Sequence, residues 1–496
     1  MLKIRVVKTA SDSKAVQIVY YADRRTKIFK HVGSAKSQEQ IEELKLIASD
    51  LIENISPILP LDSEPKFNNL LSIEKSEFIG IYYTFFHEVI DQLINHIGLD
   101  KIKQKLLLDL VTIRMFEPAS KLRSIGLIEQ YFGIKHRRQT FYDSAPKWLD
   151  LKAKSEQIVV DFAKRHYAFN FDLLFYDVTT LYFETFQEDE LRKNGFSKDN
   201  KSQQPQILVA LMVTKEGFPI SYEIFSGNTF EGHTIIPVVK NFIKKHQVKE
   251  FTVVADAAMI SSKNVEQLIE NQINYIVGAR LGNISDELLQ QITSAHLHED
   301  GKSIRFKTTN GYLICSYSSI RYRKDKYEME KQIERAKTIV DNPAKSKKLK
   351  FTKTNGEKIE LNQKLIDKNR KLLGIKGYYT NLPENIADNA TIISRYHELY
   401  RIEQAFRISK NDLETRPIFH FKEEPIKLHL LICFMALVLS KHIELRTNHS
   451  IKYFLDECKK VTDARIYNQL TQKEITMRVK KSKAISEILS KLNLSY

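Results

Sequence analysis

At 496 residues the chain is too long for a single hydrophobic core and is expected to divide into two to four domains. A 42% apolar content with 27 Phe and 22 Tyr supplies ample material for globular cores, and three scattered cysteines, Cys315, Cys433 and Cys458, support neither a disulfide framework nor a zinc knuckle. Lys and Arg number 77 against 61 Asp and Glu, a net charge of +16, which points to a polyanionic partner, most simply nucleic acid, though a Lys-rich surface would give the same balance.

Taken in order, the N-terminus alternates apolar and polar residues near Ile4 to Val7, Val16 to Tyr21 and Lys27 to Val32. Met1 to Lys8 therefore reads as a charged strand rather than a signal peptide, and a reducing cytoplasm, with association to the nucleoid, is the expected location. From Ser37 to Ile55 apolar residues recur at helical spacing, so residues 1–60 are expected to form a β-meander with a helix. Pro57, Pro60 and Pro65 mark a linker. Residues 66–165 are expected to be helical from Phe78 to Phe162, with breaks near Gly98, Glu117-Pro118 and Gly133. Within them His136-Arg-Arg-Gln-Thr-Phe-Tyr142-Asp opens a helix in which Arg137 and Arg138 could meet DNA phosphates; a solvated helix start fits equally well.

The next stretch, Asp172-Leu-Leu-Phe-Tyr-Asp177-Val-Thr-Thr-Leu-Tyr-Phe-Glu184, reads as a strand buried on both faces with Asp177 inside it. A carboxylate there costs several kcal/mol unless it is paired or holds a metal. Thr179 and Thr180 flank it, for orientation or simply for strand packing. The runs Gln206 to Val213 and Ile220 to Phe225 make a hairpin around Glu216-Gly217, and Thr234 to His246 makes a helix. Glu231 and His233 could face the same site as Asp177, but read more simply as part of the loop between strand and helix. Phe251-Thr-Val-Val-Ala-Asp256 is a strand ending on a second acid, followed by a helix capped by Ser261 or Ser262. The tip of a strand in an α/β sheet is where ligands usually bind.

Tyr275 to Ala279 is a fifth strand, after which short alternating runs begin: Ser303 to Phe306, Tyr312 to Tyr317, Leu349 to Thr352 and Lys358 to Leu361. Asn310-Gly311 and Asn355-Gly356 are hairpin turns between them, and a charged helix from Lys326 to Val340 interrupts them. Lysines from Lys345 to Lys371 suit DNA phosphates or a solvated surface. Thr391 to Leu413 lacks Gly and Pro and reads as one helix. Tyr396, Glu403 and Lys410 are seven apart, which on an α-helix keeps them on one face with only ~20° of drift per heptad. Leu428 to Ser440 is too short and too closely flanked by Lys427, His429 and Lys441 to span a membrane, and is expected to be a core helix.

A strand acid, a strand-end acid and a helix Glu in this order resemble the DDE triad of bacterial insertion-sequence transposases. Tyr396, Glu403 and Lys410 are similar to the YREK signature of the insertion-sequence-four superfamily, and the runs Gly195 to Asp199, Gln206 to Val213 and Gly217 to Thr229 that follow Asp177 resemble its long-spacing sub-branch. The signature Arg is replaced by Leu399, with Arg395, Arg401 and Arg407 as neighbours. The resemblance covers Phe171 to Lys441.

It implies an α/β fold: a ribonuclease-H-like catalytic core (166–284 and 376–420) interrupted by a β-strand insertion domain (285–375), a mixed β-meander and helical N-terminal region, and an α-helical C-terminal region (421–496). It further implies Asp177, Asp256 and Glu403 as catalytic residues and ligands of Mg²⁺ or Mn²⁺, as two ions, with Tyr396, Lys410 and Arg407 on DNA phosphates. The partners implied are double-stranded DNA, both terminal inverted repeats and target, and a second copy of the chain when DNA is bound, with no membrane. The implied activity is metal-dependent strand cleavage and transfer by a cut-and-paste route. A nuclease of the same fold that never joins, and a non-catalytic DNA-binding regulator, are the alternatives.

Overall fold

In the computed structural model, which describes residues 2–10, 13–22, 25–53, 76–197, 201, 203–248, 250–259, 261–341, 349–355, 358–469 and 472–495, the N-terminal alternation becomes a three-stranded antiparallel sheet. Its strands are β1 (Lys3–Lys8), β2 (Lys14–Ala22) and β3 (Arg25–Ala35). Helix α1 (Gln38–Glu53) closes Ile41, Ala48 and Leu51 over Val16, Ile18 and Ala35. The linker at Pro57, Pro60 and Pro65, along with Gly356 and several of the lysines after Lys345, lies outside the described residues.

Contact density divides the chain into two units, residues 1–83 with 461–480, and residues 84–460 with 481–496. The first unit corrects two expectations. Ser76–Tyr82, read as the start of a helical region, is strand β4. It pairs with Asp463–Asn468, which pairs in turn with Lys473–Arg478, so the C-terminal region is not helical throughout. Asp463, fully buried, accepts hydrogen bonds from Arg478 Nε (2.7 Å) and Nη2 (2.9 Å), a charged clamp that fixes this hairpin.

The second unit begins with helices α2 (Thr84–Ile97), α3 (Lys105–Phe116), α4 (Lys121–Phe132), α5 (Arg138–Trp148) and α6 (Leu151–His166). Gly98 and Gly133 stand at φ +94° and +71° just after α2 and α4, the left-handed conformation that ends a helix without a Cβ clash. An eight-stranded sheet follows. Strands β5 (Leu173–Tyr182), β6 (Gln206–Thr214) and β7 (Pro219–Ser226) form an antiparallel meander. Helix α7 (Ile235–His246) leads to β8 (Thr252–Ala255), which pairs parallel with β5. Helix α8 (Ser262–Glu270) leads to β9 (Asn274–Ala279), parallel to β8.

Beyond α9 (Asp286–Ser294) the strands β10 (Ser303–Thr308) and β11 (Gly311–Tyr317) do not fold as a sheet of their own. After α10 (Ser319–Asp341), the small hairpin of β12 (Thr352–Asn355) and β13 (Lys358–Leu361), and α11 (Gln363–Lys371), strand β14 (Ile375–Thr380) returns antiparallel to β9. Its open edge receives β11 and then β10, giving the order β10-β11-β14-β9-β8-β5-β6-β7. Leu313 and Cys315 of β11 share a buried cluster with Leu281, Ile292 and Ile375, an apolar face that makes joining the sheet favourable. Among the described strands from β10 to β14, only β12 and β13 stand apart from this sheet, with Phe351, Met329 and Ile366 as a core beside them.

Helices α12 (Asn389–His397), α13 (Tyr400–Arg407), α14 (Glu423–Thr447), α15 (Ile451–Lys459) and α16 (Lys483–Lys491) complete the unit. By length and composition α14 could cross a membrane, but 94% of its most apolar window is buried within the protein, which marks a core helix.

Glu156 on α6 fastens the helical layer to the sheet. It accepts from Ser221 Oγ (2.9 Å) and Lys245 Nζ (2.7 Å) and pairs with Lys152 (3.1 Å). Burial alone would raise its pKa, but the charges of Lys152 and Lys245 hold the carboxyl below its usual 4.5. A depressed folded-state pKa gives stability that is present above 4.5 and lost as pH falls through the folded value. Glu156→Ala is expected to lower the unfolding free energy of this unit by about 3–5 kcal/mol at neutral pH, because two cations lose a buried partner. In urea titrations the wild-type midpoint falls as the pH drops below 4.5, and Glu156→Gln flattens that fall.

Candidate active site

The parallel pairing of β5 with β8 runs from Leu173 opposite Thr252 to Tyr176 opposite Ala255. The next residue on each strand is an acid. Asp177 and Asp256 therefore leave the pairing level with one another, on backbones separated by the usual interstrand spacing of about 4.8 Å. Asp177 is half-buried and its Oδ1 accepts the N–H of Val178 at 2.7 Å. Asp256 is exposed at the strand tip, where a 3₁₀ turn, Ala257–Met259, begins. Ser261 caps α8 by accepting the N–H of Asn264, and the Asn264 side chain donates to the carbonyls of Met259 (2.8 Å) and Gly232. Glu231 and His233 belong to the 3₁₀ turn between β7 and α7, which packs on the turn after Asp256.

Glu403 comes from α13, which packs on β5 and β6, while α12 packs on β8, β9 and β14. The expected single helix from Thr391 to Leu413 is corrected here. Helix α12 ends at His397, and i,i+3 bonds from Leu399 to Tyr396, Arg401 to Glu398 and Ile402 to Leu399 tighten the chain before α13. A π-helical turn, Ile408–Asp412, follows and holds Lys410. Tyr396, Glu403 and Lys410 thus do not share one continuous α-helical stripe; the tight turn instead buries Leu399 and Ile402. Leu399, where the expected signature would have Arg, is buried. Arg401 lies against the Glu216-Gly217 turn, with Nη1 3.4 Å from the Glu216 carbonyl.

What ties α12 to the acids is Tyr396. Its hydroxyl donates to Asp256 Oδ1 at 2.9 Å, across 140 positions of sequence. Burial first, then the negative charges of Asp256 and Glu403, push the phenol pKa above its ordinary value, so the hydroxyl keeps its proton and remains a donor. The close approach depends on Gly278 of β9: a Cβ there would stand 2.5 Å from Tyr396 Oη and 3.1 Å from the Ala257 Cβ. Entry into α12 is fixed by Arg305 of β10, which donates to Asn389 Oδ1 (3.0 Å) and to the carbonyls of Leu382 (3.0 Å) and Ala387 (2.6 Å). Asp388 caps the helix on Thr391 N–H at 2.8 Å.

Lys376 of β14 completes the group. Its Nζ lies 4.6 Å from the Tyr396 ring centroid and 5.4 Å from that of Tyr378. Burial, and then the charge of Arg321, draw its pKa down, while Asp256 and Glu403 pull the other way. Lys376, Gly278 and Arg305 were not singled out from the sequence. The available signals were a Lys in an otherwise apolar strand and a Gly inside a strand, which often marks a close approach.

Asp256, Glu403, Tyr396 and Lys376 therefore act on one another, and strand register brings Asp177 alongside Asp256. Among the described residues no set of three His, Cys, Asp or Glu side chains is arranged as a ready-made metal cage. The donor chemistry nevertheless fits a hard cation: the Asp acids lie level, Tyr396 occupies only Oδ1 of Asp256, and Glu403 is exposed. A cavity of about 600 Å³ opens beside Ala257 and Gly278, lined also by Ser261, Arg280, Lys307 and Asn310. Arg407 is exposed on α13, and Arg137 and Arg138 are exposed at the start of α5. That start is anchored by His136, whose Nε2 lies 2.7 Å from buried Asp109, itself 2.8 Å from His87.

Residues 170–439 match the family model described as transposase DDE domain. No curated protein matches the chain. Among solved structures, a piggyBac transposase synaptic complex with hairpin DNA is similar at 12% identity and a TM-score of 0.37, over 85% of this chain and 77% of that one.

Gly278→Ala is expected to cost about 1–3 kcal/mol by crowding Tyr396, and Tyr396→Phe about 1 kcal/mol by removing the hydrogen bond. Because the hydroxyl is the atom that the new Cβ meets, the double variant should be more stable than the sum of the two costs predicts, by at least about 0.5 kcal/mol. Urea unfolding of the four proteins reads the coupling; strict additivity would mean that Gly278 and Tyr396 do not meet.

Proposed function

The chain belongs to the transposase DDE-domain family, and on that premise we propose that it is a DNA transposase that cuts and joins strands at Asp177, Asp256 and Glu403. The observation that carries this reading is the β5–β8 register, which sets Asp177, inside β5, level with Asp256 just past the end of β8, while the helix that bears Glu403 packs on β5 and β6. Three antiparallel strands followed by two parallel to the first, in the order β7-β6-β5-β8-β9, support a ribonuclease-H-like core. The spacing of Tyr396, Glu403 and Lys410 supports the insertion-sequence-four superfamily.

DDE transposases generally use divalent metal ions. Here Asp177, Asp256 and Glu403 would hold Mg²⁺ or Mn²⁺, and such ions, when bound, supply Lewis-acid stabilisation of phosphoryl oxygens and a more acidic water or hydroxyl. The rest of the work falls to the chain. Tyr396 restrains how Asp256 can turn by donating to Oδ1. The phenol remains protonated across the physiological range, so that restraint does not vary with pH there. Gly278 gives Tyr396 room, and Arg305 fixes the helix that carries it.

In our reading the terminal inverted repeats are bound by the helical region, where Arg137 and Arg138 are exposed, and by the basic surface as a whole. Two ends are cut by two copies of the chain in a cut-and-paste reaction in the cytoplasm.

Incubating the protein with linear DNA that carries the element's own ends and a target plasmid tests this reading. Joined products are expected with Mg²⁺ or Mn²⁺ and none with a chelator. Asp177→Asn, Asp256→Asn and Glu403→Gln each abolish cutting while gel-shift binding of the ends persists. Cut but unjoined products would make the protein a nuclease, and binding without cutting a regulator.

A further inference from the structure

We propose that Lys376 is a phosphate-binding residue of this site, holding the backbone phosphate next to the one that is cut. The inference rests on the transposase reading and adds a residue outside the acid triad and its signature helix.

Lys376 stands between two fields of opposite sign. On one side lie Tyr396 and, through its hydroxyl, Asp256; the Tyr396 and Tyr378 rings, 5.0 Å apart, hold the ammonium against their faces. On the other side a cavity of about 320 Å³ is lined by Lys376 together with Arg280, Arg321 and Lys350. Arg321 is itself paired with Asp325, at 3.2 Å. A cation kept partly buried beside further cations is costly unless an anion joins it. Asp256 and Glu403 compensate Lys376 only while their own charge is not taken up by a divalent cation.

The cavity wall carries four cations against Asp325 and Glu328, and its Lys376 is also the residue on which the charges of Asp256 and Glu403 act; a DNA strand cut at those acids must continue past them. Its next phosphate is the anion that fits this place. Lysine suits the role as a compact point charge with three donors. The two tyrosine faces keep the amine in one position, so little side-chain freedom remains to be lost on binding.

The test is the salt dependence of binding between the full chain and a fluorescent duplex of the element's terminal sequence, measured with Ca²⁺. Each phosphate contact adds about one unit to the slope of log affinity against log salt. Lys376→Gln should lower the slope by about one, and Lys376→Arg should restore it. Asp256→Asn should leave it unchanged, because an acid makes no phosphate contact. In the wild-type chain, which needs no refolded variant, the duplex should protect Lys376 from acetylation by an amine-reactive ester, read by mass spectrometry. A wild-type slope in Lys376→Gln, or acetylation of Lys376 undiminished by DNA, would overturn the proposal and leave the residue as a counter-ion of the acids. If the wild-type chain binds no DNA at all, the transposase reading fails first and this inference with it.

Discussion

The structure turns on a short parallel pairing. Only four residue pairs join β5 to β8, yet they set Asp177 and Asp256, far apart in sequence, at the same level where that pairing ends. Parallel strands cannot be joined by a tight turn, so the meander β5–β6–β7 and helix α7 act as the crossover that permits the pairing. The burial of nearly every residue of β5 and all of β6 holds the register, since a slip of one residue would turn the acids to the other face. The level placing of the two acids is thus a consequence of core packing rather than of any local motif.

A second constraint brings in the distant helix pair. After β9 the chain makes a long excursion through β10 to β14 before reaching α12 and α13, and the excursion repeatedly returns to the sheet edge. Strand β14 closes on β9 and carries Lys376; β10 contributes Arg305, which fastens the start of α12. Tyr396 then spans from α12 to Asp256 over a strand left bare by Gly278. The strands of this excursion thus reach the surroundings of Tyr396: β14 sets Lys376 against its ring, and β10 binds the start of its helix through Arg305.

Much of this was legible in the sequence, for identifiable reasons. The runs around Asp177 and Asp256 are apolar enough to be central strands whatever surrounds them, and an acid at such a place needs a purpose. The N-terminal meander, the helix of Ser261 and the breaks at Gly98 and Gly133 carry strong local signals and fold as read. What failed depends on tertiary contact. Ser76–Tyr82 is a strand because Asp463–Asn468 pairs with it, a partner almost four hundred residues away. The helix from Thr391 divides because Leu399 and Ile402 are buried and Tyr396 is held by Asp256, which no helical periodicity encodes. Lys376 and Gly278 acquire meaning only when β9, β14 and α12 are side by side.

The central claim is that Asp177, Asp256 and Glu403 serve one cation-dependent centre. The most direct measurement is anomalous diffraction from crystals of the full chain grown with Mn²⁺. The account predicts metal density beside Asp177 of β5 and Asp256 at the end of β8, bound by oxygens of both aspartates and by Glu403, with Tyr396 still donating to Asp256. Manganese bound elsewhere in the molecule, or at Asp256 with Asp177 turned away, would contradict it.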